Sequence, residues 1–286
     1  MDQTIMDLYE KYTHDLLDRR EFLKKLGIFL GSAAAANALL PLLETNYARA
    51  EVVSKDDPRL KTDYINYPGA TGEIRAYFAR PKREAKLPGV IVAHENIGLV
   101  PHIEDVIRRV ALEGFLAIGP DALSPVGGTP KDSEEAKKLL KKLDSQSTVN
   151  DYIAAVKYLQ YHPESTGKVG IIGFCWGGGV ANQVAVKTPD LTVAVPFYGR
   201  QPEPKDVPKI KASLLLHYGG LDKRINEGIP AFEAALKQAS VDYRMYMYEG
   251  AKHAFFNDDK ADRYHKEAAQ LAWKRTAAFL TEKLKT

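Results

Sequence analysis

Residues 172–179 read Ile-Gly-Phe-Cys-Trp-Gly-Gly-Gly. The stretch closes an apolar β-type run, Val169–Gly173, and opens a small-residue helical one, Gly177–Val186. Glycines two before and two after Cys175 remove the side chains that would collide in a sharp strand–turn–helix reversal. Such a reversal pushes the thiol out at the top of a sheet. It also sets the thiol at a helix N-terminus, where unbonded N–H groups and the helix dipole favour a thiolate. Cys175 is the only cysteine in the chain, which rules out an internal disulfide scaffold and a cysteine-rich zinc module. A buried structural cysteine is the competing reading, and the strand-to-helix setting argues against it.

Around this turn, short β-type runs alternate with helical ones. Asp63–Tyr67 and Glu73–Phe78 read as an antiparallel pair joined by Pro-Gly-Ala-Thr-Gly at 68–72. Further strands are expected at Gly89–His94, Phe115–Ile118, Thr192–Tyr198, Ser213–Tyr218 and Tyr243–Tyr248. The spacing predicts helices over Ile103–Leu112, Lys131–Asp144, Val149–Tyr161, Ile229–Ala239 and Tyr264–Lys283. About eight strands, mostly linked by helices, imply an α/β fold whose mostly parallel sheet carries helices on both faces. A chain of 286 residues that is 45% hydrophobic can fill that core. Its 40 basic and 37 acidic side chains nearly balance, which leaves no nucleic-acid footprint. No repeat or linker divides residues 51–286, which read as one domain.

Residues 1–50 have a different character. Arg19-Arg20 precede Phe22-Leu23-Lys24, a mild, Ala-rich apolar run follows from Leu26 to Leu43, and Ala48-Arg49-Ala50 supplies a small-x-small cleavage pattern. Charged region, apolar region and cleavage site in that order describe a secretory signal. The paired arginines resemble a twin-arginine signal, which exports folded proteins. The expected partner of the precursor is therefore the twin-arginine export machinery, and the expected location is the periplasm or another exported compartment. No stable membrane span is expected after cleavage, because Pro41 interrupts the run. A chain whose N-terminus is not an export signal would be cytoplasmic.

A thiol nucleophile needs a base and an acid that orients it. In a sheet of this kind they follow at later strand ends, acid before histidine. The run Ser213–Tyr218 leads into Gly219-Gly220-Leu221-Asp222, and Tyr243–Tyr248 leads into Glu249-Gly250-Ala251-Lys252-His253. Of the seven histidines, only His253 has both that order and that loop position. The Cys elbow, the Gly-x-x-Asp and His-x-Phe segments and the early His94-Glu95-Asn96-Ile97-Gly98 together resemble the dienelactone hydrolase family of α/β-hydrolases. The resemblance covers roughly residues 60–285.

The resemblance implies a catalytic set of Cys175, Asp222 and His253. It implies that Glu95 contacts the thiol and helps control its ionisation, although by itself Glu95 reads as a solvated loop carboxylate. It places an oxyanion hole at the backbone N–H groups of Trp176 and Asn96, and sets Tyr198 at a strand end beside the site. One position departs from the pattern: the founding enzymes carry an arginine four residues after the histidine, and here that residue is Asn257. Arg200 and Arg224 lie at the correct edge to take over, so Tyr198, Arg200, Arg224 and Asn257 are the candidate substrate-binding residues. The expected activity is hydrolysis of a small ester or lactone through an acyl-thioester, with no metal or organic cofactor. The alternatives are a broader carboxylesterase or thioesterase, and a protein using the thiol for ligand capture or redox sensing.

Overall fold

A computed structural model describes residues 4–5, 8, 12, 17–48, 52–83 and 85–286. Its eight strands are β1 (Leu60–Pro68), β2 (Glu73–Pro81), β3 (Leu87–Ala93), β4 (Leu116–Pro120), β5 (Ser165–Phe174), β6 (Val193–Phe197), β7 (Ser213–Gly219) and β8 (Tyr243–Tyr248). They form one sheet in the order β1-β2-β4-β3-β5-β6-β7-β8. β1 pairs antiparallel with β2, as the turn at 68–72 predicts, and β2 pairs antiparallel with β4. The remaining pairs are parallel. After β3 the chain steps outward to β4 and then returns to the other side of β3 as β5. The loops leaving β3 and β5 therefore diverge at the carboxyl ends of adjacent strands, where open α/β sheets form their ligand crevice.

Two cores explain the near-continuous apolar runs of the central strands. On one face Ile91, Ile171, Leu214 and Leu216 pack under α5 (Ser145–Tyr161), α6 (Trp176–Lys187) and α8 (Ile229–Gln238). On the other face Val90, Val92, Ile172, Phe174 and Leu215 pack under α3 (Pro101–Leu112) and α9 (Lys266–Leu284). Alternate residues of one strand serve opposite cores, as a two-residue period requires. Each large apolar side chain taken fully out of water contributes roughly 1.5–3 kcal/mol.

One expected helix divides. Lys131–Asp144 is α4 (Ser133–Leu140) followed by a break, and α5 starts four residues before the expected Val149. Two N-caps cause this. Asp132 accepts from Glu135 N at 2.6 Å, and Asp144 accepts from Ser147 N at 2.8 Å. The second cap starts a new helix where the charge pattern alone looks continuous. A short α7 (Lys223–Asn226) follows β7.

At the N-terminus, Asp18 caps α1 (Arg19–Leu30), which the paired arginines open. Gly31 then turns the chain in a left-handed conformation (φ 73°) into α2 (Ala33–Ala48). Phe22, Leu26, Ala36 and Leu40 share a small core apart from the two beneath the sheet. No single helix among the described residues is long and apolar enough to cross a membrane; α1 and residues 33–40 pass that test only together, bent by 117°. Arg49 and Ala50 of the expected cleavage site lie outside the described residues. The chain rejoins the domain at Val52 and Val53, whose N–H groups donate to the buried Asp105 carboxylate of α3 at 3.2 and 2.7 Å.

Candidate active site

Cys175 stands between β5 and α6 with φ 54° and ψ −111°. That backbone is strained for a residue with a side chain, and it turns the thiol out of the sheet. The flanking glycines permit it. A Cβ on Gly173 would lie 2.0 Å from the Gly177 carbonyl oxygen, and one on Gly177 would lie 2.3 and 2.4 Å from the carbonyl oxygens of Ala93 and His94. Cys175 N donates to Phe197 O at 3.0 Å, and its carbonyl accepts from Gly178 and Gly179 in the first turn of α6. Among the described residues, the other non-glycine positions with positive φ are Tyr198, Ser240 and Ala254. Three of the four therefore cluster at this end of the sheet.

The loops after β7 and β8 bring the two partners in. Gly220 N donates to Tyr248 O at 2.8 Å and Leu221 N to Ala251 O at 2.9 Å, which ties the loops together through their backbones. Asp222 and His253 then meet: His253 Nδ1 lies 2.5 Å from Asp222 Oδ2, and its Nε2 lies 3.0 Å from Cys175 Sγ. Asp222 is buried, while the His253 side chain keeps 20% of its exposure. The Tyr198 ring stands edge-on to the imidazole with centroids 5.0 Å apart. Burial opposes charge on His253, but its hydrogen bonds to Asp222 and Cys175 outweigh that and raise its pKa to about 9.

Glu95 is buried, not the solvated carboxylate its loop position implies. Asn257 Nδ2 donates to its Oε2 at 2.6 Å, Lys260 Nζ stands 3.6 Å from the same oxygen, and the Tyr198 hydroxyl reaches Oε1 at 3.5 Å. No hydrogen bond joins Glu95 to the Cys175 sulfur among the described residues. Asn257 is itself buried and spends its amide on Glu95. His94, which the sequence offers only as a neighbour of Glu95, fixes this loop. Its Nε2 accepts from Ala122 N at 3.1 Å, so Nδ1 carries the proton and donates to Glu95 O at 2.6 Å. Burial lowers the His94 pKa, in keeping with this neutral tautomer. Its ring stacks on Trp176 at 5.2 Å, which joins the β3 loop to the start of α6.

A cavity of about 700 Å³ opens over the sulfur. Of the residues singled out in the sequence, Cys175, His253, Asn96, Trp176, Tyr198, Arg200 and Arg224 line it, whereas Asp222, Glu95 and Asn257 stand behind its wall. Lys260 and His94 carry no local signature of a site. Lys260 reaches Glu95, and His94 reaches Ala122 and Trp176, only through the fold.

A doubly wound sheet with a cysteine elbow at the end of its fifth strand and a histidine loop after its eighth is an α/β-hydrolase. The profile of the dienelactone hydrolase family matches residues 74–284, and the chain belongs to that family. It is a carboxylic ester hydrolase. A relative from Saccharolobus solfataricus, provisionally named a carboxymethylenebutenolidase, is 34% identical over 254 residues, covering 76% of this chain and 96% of its own. One of the same provisional name from Escherichia coli O157:H7 is 32% identical over 256 residues, covering 84% and 92%. The crystal structure of a provisionally assigned dienelactone hydrolase from Klebsiella pneumoniae superposes with a TM-score of 0.71 at 30% identity, covering 78% of this chain and 98% of that one.

Proposed function

We propose that this hydrolase cleaves an ester or lactone through a thioester on Cys175, with His253 as proton carrier and Asp222 as its orienting acid. The single observation that carries the reading is the imidazole bridging the Cys175 sulfur at 3.0 Å and the Asp222 carboxylate at 2.5 Å. A histidine with a pKa of about 9 is an imidazolium at neutral pH, and a cation beside a sulfur favours the thiolate. The thiolate attacks the carbonyl carbon, and the oxyanion is received by the N–H groups of Trp176 and Asn96. Trp176 opens α6, where the first N–H groups have no helical carbonyl to bond. His253 Nε2–H protonates the departing alkoxide, leaving an acyl-thioester. Neutral His253 then takes a proton from water, the hydroxide adds to the thioester, and collapse expels the thiolate and restores the ion pair. Glu95 stays fixed by Asn257 and Lys260 behind the site.

The test is hydrolysis of p-nitrophenyl acetate by the whole chain beside Cys175→Ala and His253→Ala. Turnover in the parent with background rates in both variants supports the reading. Equal rates in all three assign the activity elsewhere and favour a thiol that senses or captures ligands.

We propose also that residues 1–50 direct export and are removed, a reading supported by the paired arginines, the mild apolar run and the small-x-small pattern. Replacing Arg19 and Arg20 together with lysine should leave a full-length product in the cytoplasm. Unchanged export would refute this.

A further inference from the structure

The cavity over Cys175 has two unlike parts. Leu140, Leu143, Val149 and Val180, from α4, α5, α6 and the α4–α5 connection, give it an apolar wall. Around this wall stand four cations, Lys137, Lys141, Arg200 and Arg224, against one carboxylate, Glu203. The whole chain has 40 basic and 37 acidic side chains, so this excess is local. Lys137 already pairs with Glu134 at 2.5 Å. Lys141, Arg200 and Arg224 form no ion pair with any described residue.

Asn257 is neutral, buried, outside the cavity and bonded to Glu95. The cations that line the cavity stand instead at the end of α4, in the loop after β6 and in α7. A cavity of about 700 Å³ is within the range that encloses ligands of drug size, far more room than an acetyl group fills.

We infer that the site takes esters whose acyl part is an apolar arm ending in an anionic group. The arm lies along Leu140, Leu143, Val149 and Val180, and the anion meets Lys141, Arg200 and Arg224, the lining cations that form no ion pair among the described residues. The inference rests on hydrolysis at Cys175 and specifies its substrate class. Each cation is exposed and screened by water, so its individual contribution is modest. Several of one sign converging on a partly apolar cavity raise the local concentration of an anionic substrate and hold it.

The experiment compares two esters of equal chain length, p-nitrophenyl octanoate and mono-p-nitrophenyl suberate, on the whole chain. The apolar wall alone favours octanoate, so the sign of the preference is informative. The expected result is a kcat/KM for the suberate ester about tenfold above that for octanoate, shrinking as salt is added. In Arg200→Glu/Arg224→Glu, and in Lys141→Glu should the double variant not fold, the ratio should drop below one. A ratio of one or less in the parent, or one that survives charge reversal, overturns the inference while leaving the Cys175 reading intact. Binding of suberate monoamide and octanamide to Cys175→Ala, followed by calorimetry, decides the matter without turnover. Tighter binding of the acid supports the inference and equal binding overturns it. Loss of hydrolysis of both esters in the parent would count against the Cys175 mechanism alone.

Discussion

His217 lies on β7 and His253 just beyond β8, the neighbouring strand. Both are largely enclosed, and their pKa values move in opposite directions. For His217, burial and the nearby Arg275 cation push the pKa down to about 3. Its partners are neutral: the Tyr248 hydroxyl at 2.9 Å from Nδ1 and the Thr276 hydroxyl at 3.1 Å from Nε2. Arg275 donates to the Tyr248 hydroxyl at 3.2 Å, so that hydroxyl turns its own proton onto Nδ1, and His217 keeps its proton on Nε2. Burial works against charge on His253 as well, yet its pKa rises to about 9 through the hydrogen bonds to Asp222 and Cys175. Burial alone makes a histidine inert. A carboxylate on one nitrogen and a thiol on the other favour the charged ring instead, which is what the proposed proton carrier requires.

The strongest attempt to break this contrast is Asp222→Asn. It should lower kcat/KM for esters on the order of 10⁴-fold, as neutralising a triad acid does, and an NMR titration should show the His253 pKa falling from about 9. A His253 that titrates unchanged would mean that the partner is not the cause. Next in size is Tyr248→Phe, which removes the donor to His217 Nδ1. Denaturant unfolding should show a loss of about 1–3 kcal/mol, with ester turnover retained; lost turnover would join the two regions into one system.

Stability against pH should separate the two rings. The folded pKa of His253 lies above the ordinary value of about 6.5, so its contribution is full below that value and is lost as pH rises through about 9. The folded pKa of His217 lies below the ordinary value, so stability is lost as pH falls from about 6.5 toward about 3. Midpoints measured across this range should show both flanks in the parent and only the acid flank in His253→Ala. The smallest effect is expected from Arg275→Met. The His217 pKa should rise but stay below that of a free histidine, since burial is its leading cause; a rise to the ordinary value would transfer that role to the cation.

The sheet and the elbow were readable because their signals are local. Gly173, Cys175 and Gly177 are within five residues, and Asp222 and His253 each follow a β-type run within five residues. The strand alternation likewise exposes the antiparallel opening pair. What escaped depends on contacts distant in sequence. Glu95 and Asn257 are 162 residues apart, so neither the burial of the acid nor the hydrogen bond it accepts from the amide appears in either loop. The pairing of His94 with Ala122 and its stacking on Trp176 are equally non-local. The single helix expected over Lys131–Asp144 failed for another reason. Its repeating charges hid a capping aspartate, and one side-chain oxygen at Asp144 outweighed the periodicity around it.

The solitary thiol has an analytical consequence. Cys175 is half-buried at the cavity and no other cysteine exists in the chain. A thiol-directed alkylating reagent therefore has one address, and the moles of label incorporated per mole of protein count the reactive sites in a preparation. Loss of turnover plotted against label should fall on a straight line that reaches zero at one equivalent, so the active fraction is readable before any natural substrate is in hand.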